Sequence, residues 1–152
     1  MLTIDEVPGQ PFHFCKPVAK EPKDRGALRQ AVLSGNPKFF LGSDSAPHPV
    51  NAKTARVEEF GEPVGCAAGV YTSVNLVPLV ATFLESFGAL DKLQGFISDH
   101  GRKFYGVPAK NGQQVTLRRA AEGGAKVPGL LRGDGAEVVP FWAGKALGWE
   151  IV

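Results

Sequence analysis

The stretch Lys38-Phe39-Phe40-Leu41-Gly42-Ser43-Asp44-Ser45-Ala46-Pro47-His48 joins three consecutive large apolar residues to a polar, proline-stiffened tail. An unbroken apolar run marks a strand covered on both faces, as in a parallel sheet, whereas a half-exposed strand alternates. The preceding sequence fits that picture. Pro22 suits the first position of a helix and Asp24 lies near the positive end of its dipole. Ala27, Leu28, Ala31 and Val32 fall on one helical face, and Gly35 is a natural left-handed stop. Before this helix, Pro11-Phe12-His13-Phe14-Cys15 reads as a short strand, ended at Lys16-Pro17 because proline cannot donate to a ladder. Strand, helix, strand is the repeating unit of an α/β protein.

Towards the C-terminus, Leu76, Leu79, Val80, Phe83, Leu84 and Phe87 follow the i, i+3, i+4 rule of an amphipathic helix, with Gly88 as its cap. Leu90, Leu93, Phe96 and Ile97 make a shorter amphipathic piece. Asn111-Gly112 is a hairpin-turn signal with 114–117 as one arm. Gly123-Gly124 and Gly133-Asp134-Gly135 bracket a loop, and short strands are expected over 137–141 and 147–152. Only two parallel strands are expected, each with a bare edge, and such a pair makes no stable sheet by itself. The chain reads as the end of something larger.

Bulk composition removes several function classes. Hydrophobic residues are 43% and charged residues 21% of the 152, a folded rather than a disordered profile. Seventeen basic against 15 acidic side chains give a net charge of +2 with no basic run, so no nucleic-acid partner is expected. The most apolar window, 76–84, is too short to span a bilayer and contains Pro78, so no membrane partner is expected. Met1-Leu2-Thr3-Ile4-Asp5-Glu6 carries acids where an export signal needs a basic region. Together with two free thiols, Cys15 and Cys66, this points to a cytoplasmic location.

Chemistry collects at the C-terminal ends of the strands in α/β proteins. Here the first strand ends in Cys15-Lys16-Pro17 and the second in Asp44-Ser45-Ala46-Pro47-His48. A carboxylate closing an apolar strand, with a histidine four residues on, suits metal binding or proton transfer. It equally suits a carboxylate capping the amides of a turn, and spacing alone leaves both readings open. His13, between two phenylalanines, reads as a core histidine bonded to backbone, and His100, before Gly101 at a helix end, as exposed. Tyr71 and Tyr105 read as packing residues and Cys66 as an inert buried thiol.

The runs Phe14-Cys15-Lys16-Pro17-Val18-Ala19-Lys20, Asp24-Arg25 and Phe39-Phe40-Leu41-Gly42-Ser43-Asp44-Ser45-Ala46-Pro47-His48-Pro49 resemble the dihydroorotases of the monofunctional bacterial and fungal type, in the amidohydrolase superfamily. The resemblance continues through Cys66-Ala67-Ala68-Gly69-Val70-Tyr71-Thr72, Phe104-Tyr105-Gly106 and Val138-Val139-Pro140-Phe141, and is weakest over 50–65 and 120–135. It implies an α/β fold: the C-terminal fragment of a (β/α)8 TIM barrel, with the last two strands (seven and eight) and their helices over 1–106. A small extension with short strands, 107–152, would pack on the barrel.

The resemblance also implies the reaction, reversible hydrolysis of the cyclic amide of dihydroorotate to N-carbamoyl-aspartate in pyrimidine synthesis. The implied cofactor is zinc in a binuclear site, most of whose ligands belong to the missing N-terminal half of the barrel. That half and the small-molecule substrate are the expected partners, with a homodimer among the expected assemblies. Asp44 takes the role of metal ligand and catalytic proton carrier, His48 grips the substrate carboxylate, and backbone groups at Lys16 and Ala68 hold the ring. The segment at Met1 resembles the family's sequence just after strand six, so a His-His pair is expected to be encoded shortly upstream. Standing against a catalytic fragment is a non-catalytic remnant or interaction module of the same fold.

Overall fold

The computed structural model describes residues 2–54, 65–108 and 114–152. These fall into two compact units, each drawn from three stretches of chain on both sides of residue 106: Met1–Arg25, Asp44–Val74 and Lys126–Lys145 in the first, and Gly26–Ser43, Asn75–Ala125 and Ala146–Val152 in the second. Among the described residues, four α-helices run over Pro22–Leu33 (α1), Val50–Thr54 (α2), Leu76–Glu85 (α3) and His100–Tyr105 (α4). The short strands among the same residues are Leu117–Arg119 (β1), Ala125–Lys126 (β2), Leu131–Gly133 (β3), Ala136–Val138 (β4), Ala146–Leu147 (β5) and Trp149–Ile151 (β6).

The first unit begins with a tight N-terminal turn. The Glu6 carboxylate accepts the Thr3 backbone N–H at 2.8 Å and the Thr3 hydroxyl at 3.1 Å, and pairs with Arg25 at 2.9 Å. Accepting these bonds holds the Glu6 carboxyl below its usual value, the Thr3 amide being the largest cause. Thr3 also bridges Ala19 in parallel, which returns the chain to the start of α1. Farther along, β3 and β4 form an antiparallel hairpin, Leu131 opposite Val138 and Gly133 opposite Ala136. Its turn needs left-handed backbone at consecutive positions, and Asp134 (φ 49°) and Gly135 (φ 75°) supply it.

The second unit holds the apolar core. Val32 of α1, Val80 and Leu84 of α3, and Ala89 are buried together, with Leu41, Phe83, Phe87, Leu93, Phe96 and Ile97 packed against them. These are largely the residues that the helical periodicity selects. Phe83 and Phe87, one turn apart, meet edge to face at 5.0 Å. Leu28 departs from its expected role and is exposed. The carboxylate of Glu85, at the end of α3, accepts Trp149 Nε1–H at 3.1 Å and pairs with Arg119, fastening β1 and β6 to the helix. Those strands pair antiparallel, Leu117 opposite Ile151 and Arg119 opposite Trp149.

Several expectations change. Residues 11–15 and 38–43 run without a β-ladder: Pro11–His13 closes a 3-10 turn and residues 39–43 form no helix or strand. A barrel strand takes ladder bonds from two extended neighbours, and among the described residues neither segment has them. Their backbone groups go elsewhere, Leu41 N–H to the Phe96 carbonyl and the Phe14 carbonyl to Gly69 N–H, both at 2.9 Å. The expected hairpin turn at Asn111-Gly112 lies outside the described residues, and the partner of β1 is β6, about thirty residues away in sequence. His100 opens α4 instead of ending a helix. It directly follows a π-helical turn, Gly95–Asp99, is half-buried, and sits 3.3 Å from the Phe39 carbonyl oxygen. Among the described residues no helix is long and apolar enough to cross a membrane.

Candidate functional site

Three pieces of the first unit converge: the turn at 14–17, the segment 44–48 and the segment 66–73. The second and third are joined by backbone and side-chain bonds. Ala46 N–H donates to the Val70 carbonyl at 2.9 Å. The Ser45 hydroxyl oxygen accepts two consecutive amides, Thr72 at 3.0 Å and Ser73 at 3.1 Å. A side-chain acceptor for adjacent N–H groups replaces the ladder that a neighbouring strand would give.

His48 is half-buried, and its Nε2 lies 3.2 Å from the Ala68 carbonyl oxygen. That carbonyl can only accept, so Nε2–H is the donor of this contact. The approach depends on Gly69. A Cβ there would lie 2.7 Å from the Ala46 carbonyl oxygen, and 2.8 Å from both Ala46 Cβ and His48 Cδ2. No other residue lets the two segments come this close.

Gly69 also reaches the first turn, its N–H donating to the Phe14 carbonyl at 2.9 Å. Lys16 follows Phe14 by two residues. It is exposed, its Nζ stands 5.9 Å from the centre of the Phe14 ring, and the Lys16–Pro17 peptide is cis. Asp44 heads the second segment, exposed and in left-handed backbone with φ 40°. Aspartate enters that region more readily than most residues, and the conformation turns the chain between Ser43 and Ser45. The structure thus puts His48 in contact with Ala68 and links the Lys16 turn to them through Phe14 and Gly69. Asp44 stands two residues before the Ala46 anchor.

One residue here escapes the sequence reading. Lys53, on the five-residue helix α2, is only 4% exposed. Its ammonium donates to three backbone carbonyls, Phe14 at 3.0 Å, Ala67 at 2.7 Å and Gly69 at 2.8 Å. Burial lowers its pKa from the ordinary lysine value, with the nearby thiols of Cys66 and Cys15 acting in the opposite direction. Nothing in the spacing marks it, because a lysine within a polar stretch reads as solvated. Of the remaining candidates, His13 has the expected backbone partner but sits on a 3-10 turn outside the core. It is half-buried, its Nδ1 lies 3.4 Å from the Glu6 carbonyl oxygen, and its ring is 5.2 Å from that of Phe141. Cys66 is half-buried, its thiol 3.6 Å from the Pro11 carbonyl.

As a metal centre the site is incomplete. Among the described residues no three His, Cys, Asp or Glu side chains gather where an ion could be held. Zinc takes about four ligands, so these residues alone do not fit it, and Asp44 offers one carboxylate.

No protein-family model matches the chain. A dihydroorotase of Mycosarcoma maydis is 44% identical over 191 residues, taking in 99% of this chain and 48% of its own length. The crystal structure of Saccharomyces cerevisiae dihydroorotase in complex with 5-fluoroorotic acid superposes with a TM-score of 0.78 at 39% identity, covering 100% of this chain and 40% of the yeast chain. For Campylobacter jejuni dihydroorotase the TM-score is 0.81 at 33% identity, over 100% and 42%. The chain is therefore a segment of a (β/α)8 barrel, carrying the last barrel elements and a small extension of short strands. It spans less than half the length of these relatives. By sequence and by fold it corresponds to the C-terminal portion of the dihydroorotases.

Proposed function

We propose that the chain contributes the C-terminal wall of a dihydroorotase active site, working when joined to or paired with the rest of the barrel. The reaction is reversible hydrolysis of the cyclic amide of dihydroorotate. Water adds to the ring carbonyl, the carbon–nitrogen bond breaks, and the nitrogen leaves with a proton to give N-carbamoyl-aspartate. The observation that carries this reading is the convergence of the 14–17, 44–48 and 66–73 segments, with His48 against Ala68, in a chain similar over its whole length to dihydroorotases.

In this reading Asp44 takes the proton of the attacking water and returns it to the leaving nitrogen, a task suited to an exposed carboxylate at the head of the segment. His48 binds the substrate carboxylate. Backbone groups at Lys16 and Ala68 hold the ring, a use for which the side chains at those positions matter little. The yeast relative was crystallised with 5-fluoroorotic acid, a planar pyrimidine carboxylate, which supports a ligand of this class. Zinc belongs to the proposal as the group that makes water nucleophilic near neutral pH. Asp44 would be its one ligand from this chain, the others coming from the remainder of the barrel. A cytoplasmic location and a homodimer are part of the same proposal.

The test is ring opening of dihydroorotate, with zinc present, by the purified chain alone and mixed with a separately expressed N-terminal portion. Turnover only in the mixture is the expected result. Robust turnover by the chain alone refutes its dependence on a second part. No turnover in the mixture favours the non-catalytic remnant.

A further inference from the structure

We infer that Lys53 is a positioning residue that aims the backbone at Ala68 and at the Lys16 turn toward the substrate ring. This rests on the dihydroorotase reading above. An ammonium has three donors, and all three of Lys53 are spent on the carbonyls of Phe14, Ala67 and Gly69. Those residues flank the two places whose backbone is proposed to hold the ring. Phe14 lies two before Lys16, while Ala67 and Gly69 bracket Ala68. A lysine serving only to fill space would keep its head in water and bury its stem. Lys53 does the reverse, taking a charged head into a site where carbonyl dipoles and the Phe14 ring, 5.8 Å away, replace the water.

The direction of the effect follows from peptide planarity. In a trans peptide unit the C=O and the following N–H point opposite ways. The Ala67–Ala68 peptide is trans and its carbonyl is turned onto Lys53, so the Ala68 N–H is turned away from the ammonium. The same holds for the Cys15 N–H behind the Phe14 carbonyl. Ala68's own carbonyl meets His48. One buried cation thereby orients the Phe14–Cys15 and Ala67–Ala68 peptides together. Without it, the Ala67 carbonyl keeps, among the described residues, only the long contact with the Cys66 thiol at 3.7 Å, too weak a donor to fix the peptide plane.

The experiment uses Lys53→Met, which keeps the stem and removes the donors, beside Lys53→Arg, which keeps a cation. Lys53→Gln, with a neutral two-hydrogen donor, takes the place of the methionine variant should that fail to fold. The first readout is amide exchange in the chain itself. The Gly69 N–H, held on Phe14, should exchange ~10-fold faster or more in Lys53→Met and closer to wild type in Lys53→Arg. The second is kinetics of the chain paired with its N-terminal portion. There KM for dihydroorotate should rise ~10-fold while kcat stays within about threefold, the pattern of lost ground-state and transition-state binding alike.

A lysine that merely stabilised the fold would lower the active fraction, and so kcat, at unchanged KM. That result, or Gly69 exchange unchanged in Lys53→Met, overturns the inference. If the wild-type pair shows no turnover, the dihydroorotase reading falls, and the exchange measurement alone decides whether Lys53 holds these segments.

Discussion

Gly69→Ala is the sharpest probe of how the site is assembled. The added methyl group would sit 2.7 Å from the Ala46 carbonyl oxygen and 2.8 Å from both Ala46 Cβ and His48 Cδ2, closer than real Cβ contacts come. Two of these three are backbone or Cβ atoms, which no rotamer change can move, so the 44–48 and 66–73 segments must separate. Their separation strains the Ala46–Val70 bond (2.9 Å) and the His48–Ala68 contact (3.2 Å). Overpacking of this kind costs about 1–3 kcal/mol. In a domain of this size each kcal/mol moves Tm by about 2–4 °C, so a fall of roughly 2–12 °C is expected by circular dichroism. The His48 and Ala68 resonances should shift in the folded variant. Adding Ala46→Gly removes the Cβ clash and leaves the carbonyl clash, so the double variant should recover only part of the loss. A melting temperature within about 1 °C of wild type, with unmoved His48 signals, would refute the close approach.

Leu84→Ala empties a fully buried position in the core of the second unit and should cost about 2–5 kcal/mol in urea unfolding; a loss below 1 kcal/mol would contradict that packing. Glu6 makes stability pH-dependent with a definite sign. Its folded pKa is depressed, so its contribution is complete above the ordinary value of 4.5 and disappears as pH falls through the folded value. Glu6→Gln should therefore flatten the stability curve below about pH 4.5, and an unchanged acid limb would show that the Thr3 and Arg25 contacts contribute nothing. Asp44→Asn should leave stability within about 0.5 kcal/mol, since the position is exposed and asparagine also accepts left-handed backbone. The same change should abolish turnover of the paired protein, and retained turnover would remove Asp44 from its proton-carrying role.

How much of this was legible in the sequence depends on how local each signal is. The 76–87 helix is written in its own periodicity, and Leu84 and Val80 are buried where the pattern puts them. The Gly-Ser-Asp-Ser-Ala-Pro-His element carries the family resemblance, and similarity over the whole of this chain to part of the dihydroorotases bears that recognition out. Pairings set by distant partners were not legible. The 114–117 region gave a strand signal but no means of choosing between a local hairpin arm and Trp149–Ile151. The local sequence at 11–15 and 38–43 reads as strand, yet a ladder is made by neighbours that local sequence does not specify. His100 opens a helix although the Gly101 after it reads as a helix stop, because the Gly95–Asp99 turn continues directly into α4. Lys53 was invisible for the plainest reason: its burial is decided by three carbonyls belonging to residues 14, 67 and 69.

The enclosure of that amine has a chemical consequence. Acylating reagents attack the neutral, accessible form of a lysine, and Lys53 offers them neither free rotation nor an open approach while its three bonds hold. Exposed lysines such as Lys16, Lys20 and Lys23 should react at once. Modification of Lys53 must wait for the surrounding segments to part, so its labelling rate is a built-in clock for separation of the 14–17 and 66–73 segments. Any contact that held those segments together would slow the clock without touching the lysine.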